Sequence, residues 1–257
     1  MMGILDTIVK TTKHRIKNLD SVNYKKLNLK KKKRSLSEAI MKCDKAAVIT
    51  EIKPASPTSG VMIENINVEN IAKNMESGGA IGLSVLTEPI YFKGSYENLL
   101  IAKQSTELPI LMKDFIIDDI QLEKAVEIGA DVVLLMPSIT EVQHLYERAL
   151  DLGLEVLFET HNREQVDQAL KLEAKLIGVN NRDLQTFTIN LDRTVELIPY
   201  INDLGGNSLI ISESGISRPE HIKYLYGKGA NAFLVGTSVI KSDNIEKKVM
   251  SLVDAIK

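Results

Sequence analysis

The sequence predicts a (β/α)₈ barrel preceded by a helical extension. Three observations carry this. Eight short apolar runs rich in β-branched residues recur along the chain, each followed by a segment of helical periodicity. The runs are nearly continuous rather than alternating, as in a parallel sheet covered on both faces. Eight such units in about 210 residues is the size of a (β/α)₈ barrel. The alternative is a doubly wound open sheet, but no Gly-x-Gly-x-x-Gly follows the first strand.

Taken in order, Ile4 to Leu19 places Ile4, Leu5, Ile8, Val9, Ile16 and Leu19 at helical spacing. Lys25 to Arg34 is dominated by lysine and reads as a solvated face, with an anion-attracting patch as the alternative. Ser35, with Glu38 three residues on, forms a capping-box pattern opening a short helix through Met41. Residues 1–45 are therefore read as an extension, and 46–257 as the barrel, the two forming one structural domain.

Ala46-Ala47-Val48-Ile49 begins the first strand, which delivers Glu51 and Lys53 to one face because they lie two residues apart. Pro54 and Pro57 stop it, with Ser56 in the turn between them. A helix over Val68–Ser77 closes at Gly78-Gly79. Strand two is Ile81 to Thr87, followed by a loop from Glu88 to Gly94 and a helix from Ser95 to Gln104. Strand three, Leu108 to Phe115, carries Lys113 and Asp114 at its end, and its helix runs from Asp118 to Ile128. Strand four is Asp131 to Met136 with a helix over Thr140–Leu152. Strand five is Leu154 to Thr160 with a helix over Arg163–Leu172. Strand six is Leu176 to Asn180, followed by a helix from Leu191 to Ile198. Strand seven, Ser208 to Ser212, leads into Glu213-Ser214-Gly215 and a helix over Arg218–Tyr226. Strand eight is Ala232 to Val235, followed by Gly236-Thr237-Ser238 and a last helix from Asn244 to Ile256.

Composition excludes several function classes. A net charge of -2, with 44% hydrophobic and 26% charged residues, gives no electrostatic signature of a nucleic-acid or membrane partner. No run of about 18 apolar residues suggests a membrane span, and the N-terminus lacks the basic-then-apolar form of a signal peptide. One cysteine, Cys43, fits a reducing cytoplasm and reads as a small packed residue rather than a nucleophile. The histidines at 14, 144, 161 and 221 show no metal-ligand spacing, so no metal site is expected.

In such barrels the strand C-termini build the active site. Here they offer Glu51 and Lys53, Lys113, Glu159, Asn180 with Arg182, Glu213 with Ser214, and Gly236 with Thr237, while the N-terminal ends read as offering nothing comparable. Two lysines and three glutamates in one pocket shift each other's proton affinity, which suits acid–base catalysis. The loops Glu213-Ser214-Gly215-Ile216 and Val235-Gly236-Thr237-Ser238 combine glycine with hydroxyls after strands seven and eight, where these barrels cradle phosphate. Lys53 and Ser56 are placed to close that cradle. Pro57, Phe92, Phe115, Leu134 and Leu184, with Val235 beside them, suggest a flat apolar ligand part. His161, just beyond Glu159, is read as a loop-structural residue, with a catalytic base as the alternative.

These residues, taken together, resemble the indole-3-glycerol phosphate synthase family over nearly the full length. The resemblance rests on Ile4-Leu5-Asp6-Thr7-Ile8-Val9, Ser35-Leu36-Ser37-Glu38-Ala39, Glu51-Ile52-Lys53 with Ser56-Pro57, Leu111-Met112-Lys113-Asp114-Phe115, Gly178 to Leu184, Ser212 to Ile216 and Gly236-Thr237-Ser238. It departs at Pro54, Ser59 and Met112, where the family commonly has a basic residue, a lysine, and arginine or cysteine. The resemblance implies ring closure, decarboxylation and dehydration of 1-(2-carboxyphenylamino)-1-deoxyribulose 5-phosphate without metal or organic cofactor. It implies Lys113 as the acid that protonates the ketone, Glu159 or Lys53 as the acid for dehydration, and Glu51 as the base. Asn180, Arg182 and Glu213 would position substrate and catalytic groups. Lys53, Ser56, Ser214, Gly215, Gly236 and Thr237 would hold phosphate, and Pro57, Phe92, Phe115, Leu134 and Leu184 the ring. The expected partner is this small phosphorylated substrate, and the expected state a monomer, with a weak homodimer as the alternative. Two competing readings are a sugar-phosphate isomerase such as phosphoribosylanthranilate isomerase, for which Cys43 is poorly placed, and a non-catalytic binder, which needs no Lys113 and Glu159 together.

Overall fold

The computed structural model describes residues 3–21, 33–204 and 207–256. The lysine-rich stretch lies outside the described residues except for Lys33 and Arg34. The extension forms α1 (Ile4–Arg15), a 3₁₀ turn over Ile16–Ser21 and α2 (Leu36–Lys42). The barrel strands are β1 (Ala47–Ile52), β2 (Gly82–Leu86), β3 (Ile110–Lys113), β4 (Val132–Leu135), β5 (Glu155–Thr160), β6 (Leu176–Asn180), β7 (Leu209–Glu213) and β8 (Ala232–Val235). Between and after them come α3 (Val68–Ser77), α4 (Tyr96–Ser105), α5 (Asp119–Ile128), α6 (Gln143–Asp151), α7 (Arg163–Lys171), α8 (Asp192–Asp203), α9 (Pro219–Tyr226), α10 (Thr237–Ile240) and α11 (Ile245–Val253). Every barrel pairing is parallel and β1 bonds both β2 and β8, closing the (β/α)₈ barrel.

Two elements differ from expectation. The helix expected to end at Ile198 runs through Pro199 to Asp203, because Ile198 and Ile201 on its inner face are buried against the sheet. The first loop is more than punctuation: Ala55–Ser56 pairs with Gly60–Val61 as a small hairpin beside the mouth.

Side-chain alternation sorts the core into two layers. Val48, Ile52, Leu83, Val85, Phe158, Ile177, Val179, Phe233 and Val235 face outward, against the helices. Ala47, Ile49, Leu111, Leu134, Leu157, Leu176, Ile211, Ala232 and Leu234 fill the barrel interior. Met112 is fully buried in the outer layer, so its departure from the family pattern lies away from the mouth.

Leu36 and Ile40 of α2 join the interior cluster and plug the barrel from below. Ser35 caps this helix by accepting from the Glu38 N–H, but Glu38 itself pairs with Lys42 instead of completing the box. The second hold on α2 comes from Glu155, at the start of β5. Its carboxylate accepts the Leu36 N–H at 2.6 Å, the Ser37 N–H at 3.2 Å and the Ser35 hydroxyl at 2.8 Å. Negative charge at a helix N-terminus is favourable, and its N–H groups have no other partners there. Charge-assisted bonds of this kind are worth about 2 kcal/mol each. Glu155→Ala is therefore expected to lower the urea midpoint by the equivalent of about 2 kcal/mol or more, with specific activity of the folded protein nearly unchanged.

The barrel's lower end is thus not bare of charge, contrary to the sequence reading. Asp131, at the foot of β4, binds Lys103 at 2.6 Å, the Ile110 N–H at 2.9 Å and the Arg34 N–H at 3.0 Å. Asp131 and Glu155 tie distant chain segments together beneath the barrel.

Candidate active site

The C-terminal ends of the strands surround a cavity of about 400 Å³. Glu51, Lys53, Ser56, Pro57, Phe92, Lys113, Phe115, Leu134, Glu159, Asn180, Arg182, Leu184, Ser214, Gly215, Gly236 and Thr237 all line it. Glu213 lies beneath the lining, fully buried, with Lys113 above it. Val235 corrects the sequence reading: it faces the helices, and its neighbour Leu234 lines the mouth, because alternate residues of β8 point to opposite faces.

Continuing the inward alternation of Ala47 and Ile49 puts Glu51 and then Lys53 in the mouth. Lys53 Nζ lies 2.6 Å from Glu51 Oε1, so the strand-end ion pair does form. It is one edge of a larger network. Lys113 Nζ lies 2.8 Å from Glu213 Oε2 and 3.4 Å from Glu51 Oε2. The Asn180 amide donates to Glu159 Oε1 at 3.1 Å, and its own oxygen accepts the Arg182 N–H at 3.0 Å.

Two inward-facing glycines make room for these carboxylates. A Cβ at Gly178 on β6 would overlap Glu213 Oε1, and one at Gly236 would come within 2.6 Å of Glu51 Oε1. Both positions would otherwise take a core side chain.

Burial would raise the Glu51 carboxyl, but the Lys53 and Lys113 ammonium groups outweigh it and hold the group at about 2. Burial would lower the Lys113 ammonium, yet the carboxylates of Glu213, Glu51 and Glu159 raise it well above the usual lysine range. Glu213 moves up to about 7: burial raises it, Lys113 opposes, and Glu159 and Glu51 add to the rise. The folded chain thus holds the Glu213 proton more tightly than the unfolded chain. The resulting stabilisation is complete below the unfolded value near 4.5 and is lost as pH rises through about 7. Glu213→Gln should consequently melt higher than the parent at pH 8, by roughly 3 °C or more, with the gap closing towards pH 4.5 in paired melting curves.

The loops after β7 and β8 present backbone donors. Ser214 and Gly215 have successive positive φ values of 66° and 84°, a local conformation that turns neighbouring N–H groups to one side. Asn181 supports this turn: its amide donates to the Ser214 carbonyl at 3.1 Å and the Ser212 hydroxyl at 3.0 Å, while its oxygen accepts from Thr194 at 2.7 Å. Opposite the loops, the Phe92 and Phe115 rings sit 5.9 Å apart at 39°.

Several residues around the mouth were missed from sequence. Buried Glu88 accepts the N–H groups of Ile90, Tyr91 and Phe92 at 2.7–3.0 Å and so sets the Phe92 loop. Asp114 receives the Arg15 guanidinium through two bonds, at 2.6 and 3.0 Å, and the Thr87 hydroxyl at 2.8 Å. That anchor holds α1 across the mouth, where Ile4, Leu5 and Ile8 line the cavity. The pattern of α1 showed an apolar stripe but not what it covered, and Asp114 looked like a neighbour of Lys113 rather than a tether. Among the described residues, no group of three or more His, Cys, Asp and Glu side chains could hold a metal ion.

Closed barrel and charged mouth together define a (β/α)₈-barrel enzyme with its polar chemistry at the strand C-termini. Residues 5–252 match the family model described as Indole-3-glycerol phosphate synthase, and the chain belongs to that family, a group of carboxy-lyases in tryptophan biosynthesis. It is 46% identical over 231 residues to the indole-3-glycerol phosphate synthase of Methanocaldococcus jannaschii, covering 87% of this chain and 85% of that one. It is 40% identical over 255 residues to that of a Geobacillus species, covering 97% and 96%. The relative from Lactococcus lactis subsp. lactis is 43% identical over 214 residues, covering 81% of this chain and 80% of its own. Among solved structures, thiamine phosphate pyrophosphorylase from Pyrococcus furiosus superposes with a TM-score of 0.62 at 16% identity, covering 86% of this chain and 97% of that one, a likeness of fold alone.

Proposed function

We propose that Lys113, Glu51, Glu159 and Lys53 divide the proton transfers of indole-3-glycerol phosphate synthesis in this barrel. The observation that carries the reading is the place of Lys113: a charged, buried ammonium between Glu213 and Glu51, with the hydroxyl- and glycine-bearing loops on one side and the Phe92–Phe115 pair on the other. The phosphate of 1-(2-carboxyphenylamino)-1-deoxyribulose 5-phosphate sits against Ser214, Gly215, Gly236, Thr237, Ser56 and Lys53. Its ring packs against Pro57, Phe92, Phe115, Leu134 and Leu184.

In the first step the ring carbon bearing the carboxylate attacks the ketone carbon, and Lys113 gives its proton to the ketone oxygen. An alkoxide binds protons more strongly than an amine, so even a strongly held ammonium proton moves downhill. The carboxylate leaves as carbon dioxide, its bonding electrons returning to the ring system. In the second step the new hydroxyl leaves as water with a proton from Glu159 or Lys53, and Glu51 takes the proton lost from the substrate. Glu51 is a weak base while two ammonium groups face it; phosphate binding draws Lys53 away and restores its basicity. Asn180, Arg182 and Glu213 hold the reacting groups in place.

The extension and barrel act as one structural domain, a reading supported by the insertion of Leu36 and Ile40 into the interior cluster. The chain acts as a monomer, and the biosynthetic family supports a cytoplasmic setting. The test uses the absence of tryptophan in the chain: indole product fluorescence is followed on a low protein background. Appearance of that fluorescence with the named substrate is the expected result, and none with protein shown to be folded by a cooperative melt would reject the reading.

A further inference from the structure

Asn181 follows Asn180 at the end of β6 and points to the other side of the strand, behind the mouth. It is fully buried, and every bonding position of its side-chain amide is used. Oδ1 accepts the Thr194 backbone N–H at 3.3 Å and the Thr194 hydroxyl at 2.7 Å. A backbone N–H can only donate, so this contact fixes which end of the amide is the oxygen. Nδ2 then donates to the Ser212 hydroxyl at 3.0 Å and to the Ser214 carbonyl at 3.1 Å. The Thr194 and Ser212 hydroxyls lie 2.9 Å apart and close the network.

The Ser214 carbonyl belongs to the same peptide group as the Gly215 N–H. A planar trans peptide points its C=O and its N–H in opposite directions. Drawing the carbonyl back to Asn181 therefore turns the Gly215 N–H forward, into the mouth that Gly215 lines. Among the described residues, that N–H has no acceptor. Ser214 stands at φ 66°, a left-handed conformation that a residue with a side chain keeps only where its surroundings impose it. The bond from Asn181 imposes it. Further along the turn, the Ser238 hydroxyl donates to the Ile216 carbonyl at 3.1 Å and the Lys248 ammonium to the Ser217 carbonyl at 2.6 Å. Side chains from beyond β6, from α10 and from α11 thus occupy carbonyls whose negative ends would otherwise repel an anion at this turn.

We propose that Asn181 is a positioning residue that aims the Gly215 N–H at the substrate phosphate and so sets phosphate affinity without entering the chemistry. The inference rests on the reading of this chain as an indole-3-glycerol phosphate synthase. It adds a residue that touches no part of the substrate and acts through the Ser214–Gly215 peptide. The phosphate is remote from the reacting carbons, so its contacts are the same before and during the chemical steps. Losing their alignment weakens binding and leaves the chemical barrier in place.

The experiment measures KM, kcat and protection by inorganic phosphate in thermal melts for the parent, Asn181→Leu, Asn181→Ala and Ser212→Ala. Asn181→Leu should raise KM and the phosphate dissociation constant together, each about tenfold, with kcat within about twofold of the parent. Asn181→Ala, which leaves the neighbouring side chains their room, should do the same. Ser212→Ala also takes a partner from the buried amide and should lower the melting temperature, but it leaves the Ser214 bond in place. Its KM and phosphate protection should stay within about twofold of the parent. A merely structural network would move these quantities in step with stability in all three variants, and that result would overturn the inference. Parental KM and phosphate protection in both Asn181 variants would overturn it as well, while product formation by the parent in the same assay keeps the family reaction standing. A folded parent that forms no product would instead remove the reading on which the inference rests.

Discussion

Lys113→Met is expected to lower turnover by about 10³-fold, the range of a positioned general acid. Methionine keeps the apolar stem that packs beside Leu86, its register partner across β2 and β3. The fold should survive, because Glu213, which loses its ion partner, already sits at about 7 and takes up a proton instead of remaining a buried charge. Binding of a phosphate ligand should persist, since the Ser214–Gly215 and Gly236–Thr237 loops are untouched. Stopped product formation with retained ligand protection in a thermal melt is the outcome to measure. Unchanged turnover would remove Lys113 from the chemistry.

Glu51→Gln should cost both stability and rate. Glu51 lies between two ammonium groups, 2.6 Å from that of Lys53 and 3.4 Å from that of Lys113, with its side chain 5% exposed. Replacing it by a neutral amide leaves both lysines short of compensation in a partly dry pocket. Breaking buried pairs of this kind costs about 3–5 kcal/mol. Turnover should fall about 10²-fold or more, since the proposed base is lost as well. Denaturant midpoints at pH 7 measure the loss, and a variant as stable as the parent would show that Glu51 does not offset the two ammonium groups.

Much of the barrel could be read from the chain because its signal is local. A run such as Val132-Val133-Leu134-Leu135 bounded by Gly129 and Pro137 declares a buried strand without help from distant residues. The period-two spacing of Glu51 and Lys53 likewise announced a shared face. What escaped depends on register or on partners far along the chain. Val235 and Leu234 are chemically alike, and only the alternation within β8 decides which one faces the ligand. Arg15 and Asp114 are 99 residues apart, so nothing near either predicts the tether. Gly178 looked like part of a motif, but its inward position beside Glu213 gives it a steric task that spacing does not express. Asp131 and Glu155 show the converse, charges at the lower end whose partners come from α4, β3 and the extension.

The central claim is that one mouth closes the ring, releases carbon dioxide and removes water, with Lys113 as the first acid. The most direct measurement supplies substrate labelled with ¹³C in its carboxylate and follows labelled carbon dioxide and indole fluorescence together, in the parent and in Lys113→Met. The account predicts equal amounts of both products from the parent and parallel loss of both in the variant. Carbon dioxide release that survives in Lys113→Met at the parent's rate would contradict it.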